Sequence, residues 1–130
     1  MVLVDTNVIV NLWKSASEEE IKAFYEQDVA ICGVVKSELL HGAYSESNLN
    51  QMAFDLSLLT EFNIQASQWE DFGRFLYRLR TNGLSVPYAD ALIAFIAITN
   101  NLEIKTNDKH FRLMQVVVPE IKLTSEQGHS

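Results

Sequence analysis

The sequence predicts an α/β domain, with a parallel β-sheet of about five strands flanked by helices on both faces. Three observations carry that prediction. Short apolar runs of strand length alternate along the chain with longer runs whose apolar residues recur at helical spacing. Helix start and stop signals stand at the boundaries between them. Acidic residues follow several of the strand-like runs, where an open parallel sheet gathers its ligands. Strand–helix alternation of this kind implies parallel strands joined by helical crossovers.

Taken in order, Val2-Leu3-Val4 reads as a buried strand, followed by Asp5-Thr6-Asn7 and a short helix using Ile9, Leu12 and Trp13. Ser17 with Glu20 forms a capping box, opening a helix whose apolar stripe is Ile21, Phe24 and Tyr25. Val29-Ala30-Ile31 is the second strand, and Gly33 opens a helix over about 35–43. Leu49, Met52, Ala53, Leu56 and Leu59 mark the next helix, and 62–64 the third strand. Ser67 and Glu70 repeat the capping box before a long helix with Trp69, Phe72, Leu76 and Leu79 inward. Asn82-Gly83 stops it with a left-handed turn. Pro87 begins a further helix, and 88–100 is so uniformly apolar that it reads as buried. The last strands are expected at 102–106 and 116–118. No linker or repeat divides the chain, so one domain spans 1–123, followed by a polar, frayed tail at 124–130.

Composition narrows the function. With 130 residues, 48% hydrophobic and 21% charged, the chain can bury one substantial core. Its longest apolar run, 91–98, is too short to span a membrane, and Asp5 interrupts what would be the apolar part of a signal peptide. Cys32 is the only cysteine, so an intrachain disulfide is impossible. A soluble cytoplasmic protein is expected, with no membrane partner. The net charge of −7 argues against a nucleic-acid partner. If four of the 17 acidic residues ligate metal, however, 13 remain against 10 basic ones. The basic residues are also grouped, Arg74, Arg78 and Arg80 in one segment and Lys105, Lys109 and Arg112 in another. Such groups are commonly solvated faces.

The carboxylates are more specific. Asp5 follows the first strand, Glu38 lies in the opening turns of the helix after the second, and Asp108 follows the strand ending near Thr106. Asp90 lies in the first turn of the apolar helix. Four carboxylates from four distant segments should therefore converge on one edge of the sheet. Two carboxylates at about 4 Å repel by roughly 4 kcal/mol at an effective dielectric of about 20, so such a cluster calls for a cation. Magnesium or manganese suits oxygen ligands, and a metal so held can bind a phosphate oxygen and activate water. With no histidine pair, thiolate set or glycine-rich phosphate loop at workable spacing, metal-assisted phosphodiester hydrolysis is the chemistry best supplied.

Each residue also has a bland reading. Asp90 can simply favour the positive end of its helix, Asp5 can close a strand-end turn, Asp108 can form an Asx turn and Glu38 can be a solvated helix residue. Asp5 and Asp90, however, stand among apolar residues, where an unpaired carboxylate is costly. Asn7 and Thr106 are supporting candidates that can orient a carboxylate or a bound water. His41, His110 and His129 lack metal-ligand spacing and read as surface or packing residues, and the Trp69 stripe reads as core.

Asp5-Thr6-Asn7-Val8-Ile9, Glu38-Leu39 with Gly42-Ala43, Asp90-Ala91-Leu92-Ile93-Ala94 and Thr106-Asn107-Asp108 followed by Phe111 together resemble PIN domains. The likeness is greatest to the VapC-type toxins of toxin–antitoxin pairs, and it runs in order over nearly the whole chain. The resemblance implies a magnesium- or manganese-dependent endoribonuclease, with metal bound by Asp5, Glu38, Asp90 and Asp108 and supported by Asn7 and Thr106. It also implies an RNA substrate, a homodimer and inhibition by a cognate antitoxin, in a larger complex with it. Lys105, Lys109 and Arg112 surround Asp108 in sequence and are candidates to meet RNA phosphates. Leu12, Trp13, Phe24, Leu49, Met52 and Leu56 could line a groove for an antitoxin segment; the alternative is that all are core. Competing readings are a free-standing RNA-processing nuclease, a catalytically silent binding module and a receiver-type phosphoacceptor domain. The last would need a phosphoacceptor Asp after a central strand, where Gln65 stands instead.

Overall fold

In the computed structural model, which describes residues 1–124, seven α-helices and five strands alternate much as the apolar pattern predicts. The order is β1 (Val2–Val4), α1 (Thr6–Ser15), α2 (Glu18–Glu26), β2 (Val29–Cys32), α3 (Gly33–His41) and α4 (Glu46–Ser57). There follow β3 (Thr60–Phe62), a 3-10 turn (Ala66–Gln68), α5 (Trp69–Thr81), α6 (Tyr88–Thr99), β4 (Glu103–Lys105), α7 (His110–Val117) and β5 (Lys122–Leu123). All strand pairs are parallel, in the spatial order β3-β2-β1-β4-β5. The chain thus builds outward from β1 to one edge, then returns to build from β4 to the other. Because parallel crossovers are right-handed, that reversal sends α1–α4 to one face and α5–α7 to the other. The sequence switch lies between β1 and β4, where Val2, Leu3 and Val4 pair with Glu103, Ile104 and Lys105. This is where an open sheet leaves a crevice at its carboxyl edge.

Burial explains the elements. All four residues of β2 are buried, as a central strand covered on both faces requires. Leu3, Val4, the four residues of β2 and Ile104 are among the sheet's share of the core. Ala91 and the run Ile93 to Ala97 of α6 pack with Phe72 and Phe75 of α5, and Phe95 stands 5.3 Å from Phe72. The Ser17–Glu20 capping box is present. So is the glycine stop of α5: Gly83 has φ 82°, and the Leu84 amide reaches back to the Leu79 carbonyl at 3.0 Å. Among the described residues no helix is long and apolar enough to cross a membrane.

The structure departs from the expected elements in four places. The strand expected at 116–118 is instead the end of α7. Phe111 and Met114, three apart and fully buried, impose a helical period that outweighs the β-branched run, and Val116 points to solvent. The last strand is Lys122–Leu123, too short to leave a period-2 pattern. The third strand is Thr60–Phe62, earlier than expected, because as an edge strand it exposes Thr60 and Glu61. The expected box at Ser67 and Glu70 is formed by Gln65 and Gln68 around the 3-10 turn, while Glu70 pairs with Arg74 one turn on. Finally, Trp69 is 49% exposed. The inward stripe of α5 starts at Phe72 and runs through Phe75 and Leu79, leaving Trp69 edge-on to Phe72 at 6.2 Å. Of the polar tail expected at 124–130, Thr124 is buried and its amide donates to the Ile104 carbonyl at 3.1 Å; 125–130 lie outside the described residues.

Two glycines offer a test of opposite sign. A Cβ at either Gly73 or Gly83 would meet nothing within 4 Å. Gly73→Ala should stabilise α5 by about 0.5–1 kcal/mol, because alanine loses less entropy in a helix. Gly83→Ala should cost about 1–2 kcal/mol, the penalty of a left-handed residue with a Cβ. Urea melts in which both variants shift the midpoint the same way would remove the proposed role of Gly83.

Candidate active site

Asp5 sits where β1 ends and α1 begins. Its amide donates to the Lys105 carbonyl at 3.0 Å, carrying the β1–β4 pairing one residue past the strand. It is also the N-cap of α1, with Oδ1 accepting from the Thr6 amide at 2.8 Å. Its second oxygen accepts from the Thr106 hydroxyl at 2.9 Å, and that hydroxyl accepts from the Asp108 amide at 2.9 Å. One buried side chain therefore ties the carboxylate after β1 to the backbone after β4.

Asp108 and Asp90 meet at His110. Asp108 Oδ1 accepts from the His110 amide at 2.9 Å and lies 2.9 Å from its Nδ1. Asp90 Oδ2, from the first turn of α6, lies 3.0 Å from the same Nδ1. The three side chains are 13%, 25% and 30% exposed for Asp90, Asp108 and His110, so all three are partly open to solvent. Their ligand atoms all lie within 4.8 Å of one another, a spacing a single cation can bridge. Glu38 stands further round the same edge, exposed on α3, with Oε1 accepting from the Thr6 hydroxyl at 2.9 Å. It is outside the tight three-residue group, as is Asp5.

The electrostatics join what distance separates. Burial pushes the Asp5 carboxyl above its usual range. Its bonds to Thr106 and Thr6 resist that rise, and the charges of Asp108 and Glu38 add to it. Burial likewise raises Asp90; the His110 bond opposes this, and the charges of Asp5 and Asp108 reinforce it. Asp5 thus feels Asp108 and Glu38, and Asp90 feels Asp5 and Asp108, a like-charge arrangement that a bound cation would relieve. The Cys32 thiol nearby is buried and pushed up to about 11, so it is no candidate for a thiolate ligand.

The remaining expected residues divide. Thr106 is placed as a link between two carboxylate segments, whereas Asn7 is exposed on α1. Lys109 and Arg112 are exposed at the start of α7, and Lys105 is half-buried on β4. Arg74 pairs with Glu70, Arg78 holds Glu120 and the Val117 carbonyl, and Arg80 lies over Tyr77 at 5.3 Å. That group is occupied with its own surface.

Two residues here are additional to those expected. Thr6 bonds Glu38, and His110, expected at the surface or in packing, bridges Asp90 and Asp108. A search for histidine pairs misses His110 because its partners are carboxylates, one of them twenty residues away. The spacing Asp108-x-His110 was the available signal. His41 is exposed, and His129 lies outside the described residues.

Beside the site, Thr6 and Glu38 form one end of a groove of about 500 Å³ that continues past Trp13, Gly42, Met52 and Asp55. Of the residues expected to line such a groove, Trp13 and Met52 do so. Phe24 and Leu56 are buried core, Leu12 is half-buried and Leu49 is partly exposed outside the groove.

The model of the PIN-domain family matches residues 2–116. Among solved structures, VapBC2 from Rickettsia felis bound to a DNA fragment from their promoter is 24% identical, over 95% of this chain and 98% of that one, with a TM-score of 0.76. DNA-bound VapBC from Salmonella typhimurium is also 24% identical, over 95% and 96%, with a TM-score of 0.78. A toxin–antitoxin complex from Klebsiella pneumoniae is 22% identical, over 93% and 95%, with a TM-score of 0.67. At these identities the likeness shows a shared fold. No protein with a curated description matches.

The raised carboxyl of Asp90 has a stability consequence with a definite sign. An acid whose folded pKa exceeds its unfolded value of 3.8 destabilises the fold at neutral pH, and the penalty fades as pH falls through the folded value. In chelator at pH 7, Asp90→Asn should be as stable as the parent or more so, and the difference should close below about pH 4. With saturating manganese the order should reverse, because the parent gains about 2.7 kcal/mol at a hundredfold excess over the dissociation constant. Thermal melts of both proteins would measure it; a difference independent of metal would remove Asp90 from the ligand set.

Proposed function

The chain belongs to the PIN-domain family, and on that premise we propose that it is a divalent-metal-dependent endoribonuclease, the toxin of a VapBC-type toxin–antitoxin pair. The observation that supports this reading is the gathering of Asp90, Asp108 and His110 within 4.8 Å of one another, with Asp5 joined to the Asp108 segment through Thr106 and Glu38 bonded to Thr6 beside it. The donor set is hard carboxylate oxygen, which fits magnesium or manganese, and these four residues would hold the ion. When bound, the metal supplies Lewis-acid stabilisation of the phosphate and lowers the pKa of a water for attack.

The chain's own residues supply positioning. Thr106 keeps one Asp5 oxygen engaged and orients the Asp108 segment, and Thr6 steers Glu38 toward the site. Lys109 and Arg112, exposed at the start of α7 and close in sequence to Asp108, with half-buried Lys105 on β4, are our candidates to meet the phosphates of an RNA strand. Such contacts would offset locally a net charge of −7 that opposes binding of a polyanion.

The partner reading rests on the groove. It is apolar along Val10, Trp13 and Met52, and its charged lining is Glu38 and Asp55 with Lys14, so it suits an amphipathic peptide segment whose basic side chain reaches Glu38. The Rickettsia, Salmonella and Klebsiella neighbours are toxin–antitoxin or VapBC complexes, which supports an antitoxin partner; its seat in the groove and a homodimeric nuclease are parts of the proposal.

Cleavage of RNA in manganese decides the activity. Asp5→Asn, Asp90→Asn and their double variant should be almost equally inactive while keeping native circular dichroism, since ligands acting as a unit are lost non-additively. Full cleavage by folded Asp5→Asn would end the proposal. Separately, Lys109→Ala with Arg112→Ala should weaken RNA binding across sequences and lower its salt slope by about two. An unchanged slope would put the RNA path elsewhere.

A further inference from the structure

His110 stands in an unusual position for a residue outside the acidic set. Its Nδ1 is 2.9 Å from Asp108 Oδ1 and 3.0 Å from Asp90 Oδ2. An imidazole carries one hydrogen on that nitrogen, which cannot point at two oxygens at once. Three ligand atoms therefore converge where one proton satisfies only one contact well. Two of the three belong to carboxylates that repel each other. Around an octahedral ion with ligands at about 2.1 Å, neighbouring ligand atoms stand about 3.0 Å apart, which is the separation of Nδ1 from each of the two carboxylate oxygens.

The position is also held. The His110 amide bonds Asp108 Oδ1, and the next residue, Phe111, is fully buried and anchors the start of α7. The ring keeps 30% of its surface open, so an ion can reach it.

We propose that His110 is a metal ligand through Nδ1, and that it shifts the preference of the site from magnesium toward manganese. This rests on the metal-site reading above and adds a nitrogen to its oxygen set. Magnesium takes oxygen ligands and gives up its waters reluctantly, whereas imidazole is a good ligand for later divalent ions. A histidine that only steadied the two carboxylates would strengthen both ions alike.

Electron spin resonance of bound manganese separates the cases. The protein should be prepared as His41→Gln with His129→Gln, leaving His110 as the only histidine, with and without 15N-histidine labelling. The expected result is a nitrogen coupling to manganese that changes with the label and disappears in His110→Gln. Calorimetry should show manganese affinity falling about tenfold or more in His110→Gln. Magnesium affinity should change by less than about twofold. The coupling in labelled, unmutated His110 decides the question even if His110→Gln fails to fold. Manganese binding with RNA cleavage but no histidine coupling overturns the role of His110 and leaves the nuclease reading standing. Equal loss of both metals without coupling reduces His110 to a positioning residue and overturns the proposal. No manganese binding at all overturns it together with the metal-site reading.

Discussion

The buried hydroxyl of Thr106 sits at the join on which the candidate site depends. It donates to Asp5 and accepts from the Asp108 amide, at the point where the sheet's two halves diverge from β1 and β4. Strand pairing brings these segments alongside, but only to the accuracy of a backbone ladder that is three residues long here. The hydroxyl continues the ladder beyond the strands by side chain. Both of its hydrogen-bonding roles are used, so it is fully satisfied in its buried position. Remove that link and Asp5 keeps its helix cap, while Asp108 loses its register to the opposite segment.

Around this join the fold gathers charge that it would otherwise avoid. Asp5 is buried beside the charges of Asp108 and Glu38, and Asp90 beside those of Asp5 and Asp108. Each carboxylate has a local reason to be tolerated: a helix cap for Asp5, an Asx-type bond to the His110 amide for Asp108, the first turn of α6 for Asp90. None of those reasons explains why they face one another. Carboxylates that are locally satisfied and collectively repulsive are an arrangement in which functional sites are over-represented.

How much of this was legible follows from how local each signal is. The central strands are short apolar runs bounded by helix signals, and all of β2 is buried, so periodicity finds them. The edge is harder: β3 exposes two of its three residues and β5 has only two. The valines at 116–118 look like strand until Phe111 and Met114, the buried pair that makes α7, are given weight. In the site, Asp5 and Asp108 are legible because they follow strands that topology brings together, whereas Glu38 stands out as an acid on α3 and Asp90 as one in the first turn of α6. Thr6 is not legible, since its contact with Glu38 lies thirty-two residues away; His110 left only the short spacing to Asp108, its other partner lying twenty residues away.

The bond from Thr6 to Glu38 has a consequence beyond local order. Both residues belong at once to the acidic edge and to the end of the groove that runs past Trp13 and Met52. No rigid wall separates the two regions; they share a carboxylate. A molecule seated in the groove that draws Glu38 toward itself changes the affinity of the edge for a cation. By thermodynamic reciprocity, a cation that holds Glu38 changes the affinity of the groove by the same factor. Two binding equilibria that share one side chain cannot be independent, so the occupancy of each region reports on the other without any movement of the sheet beneath them.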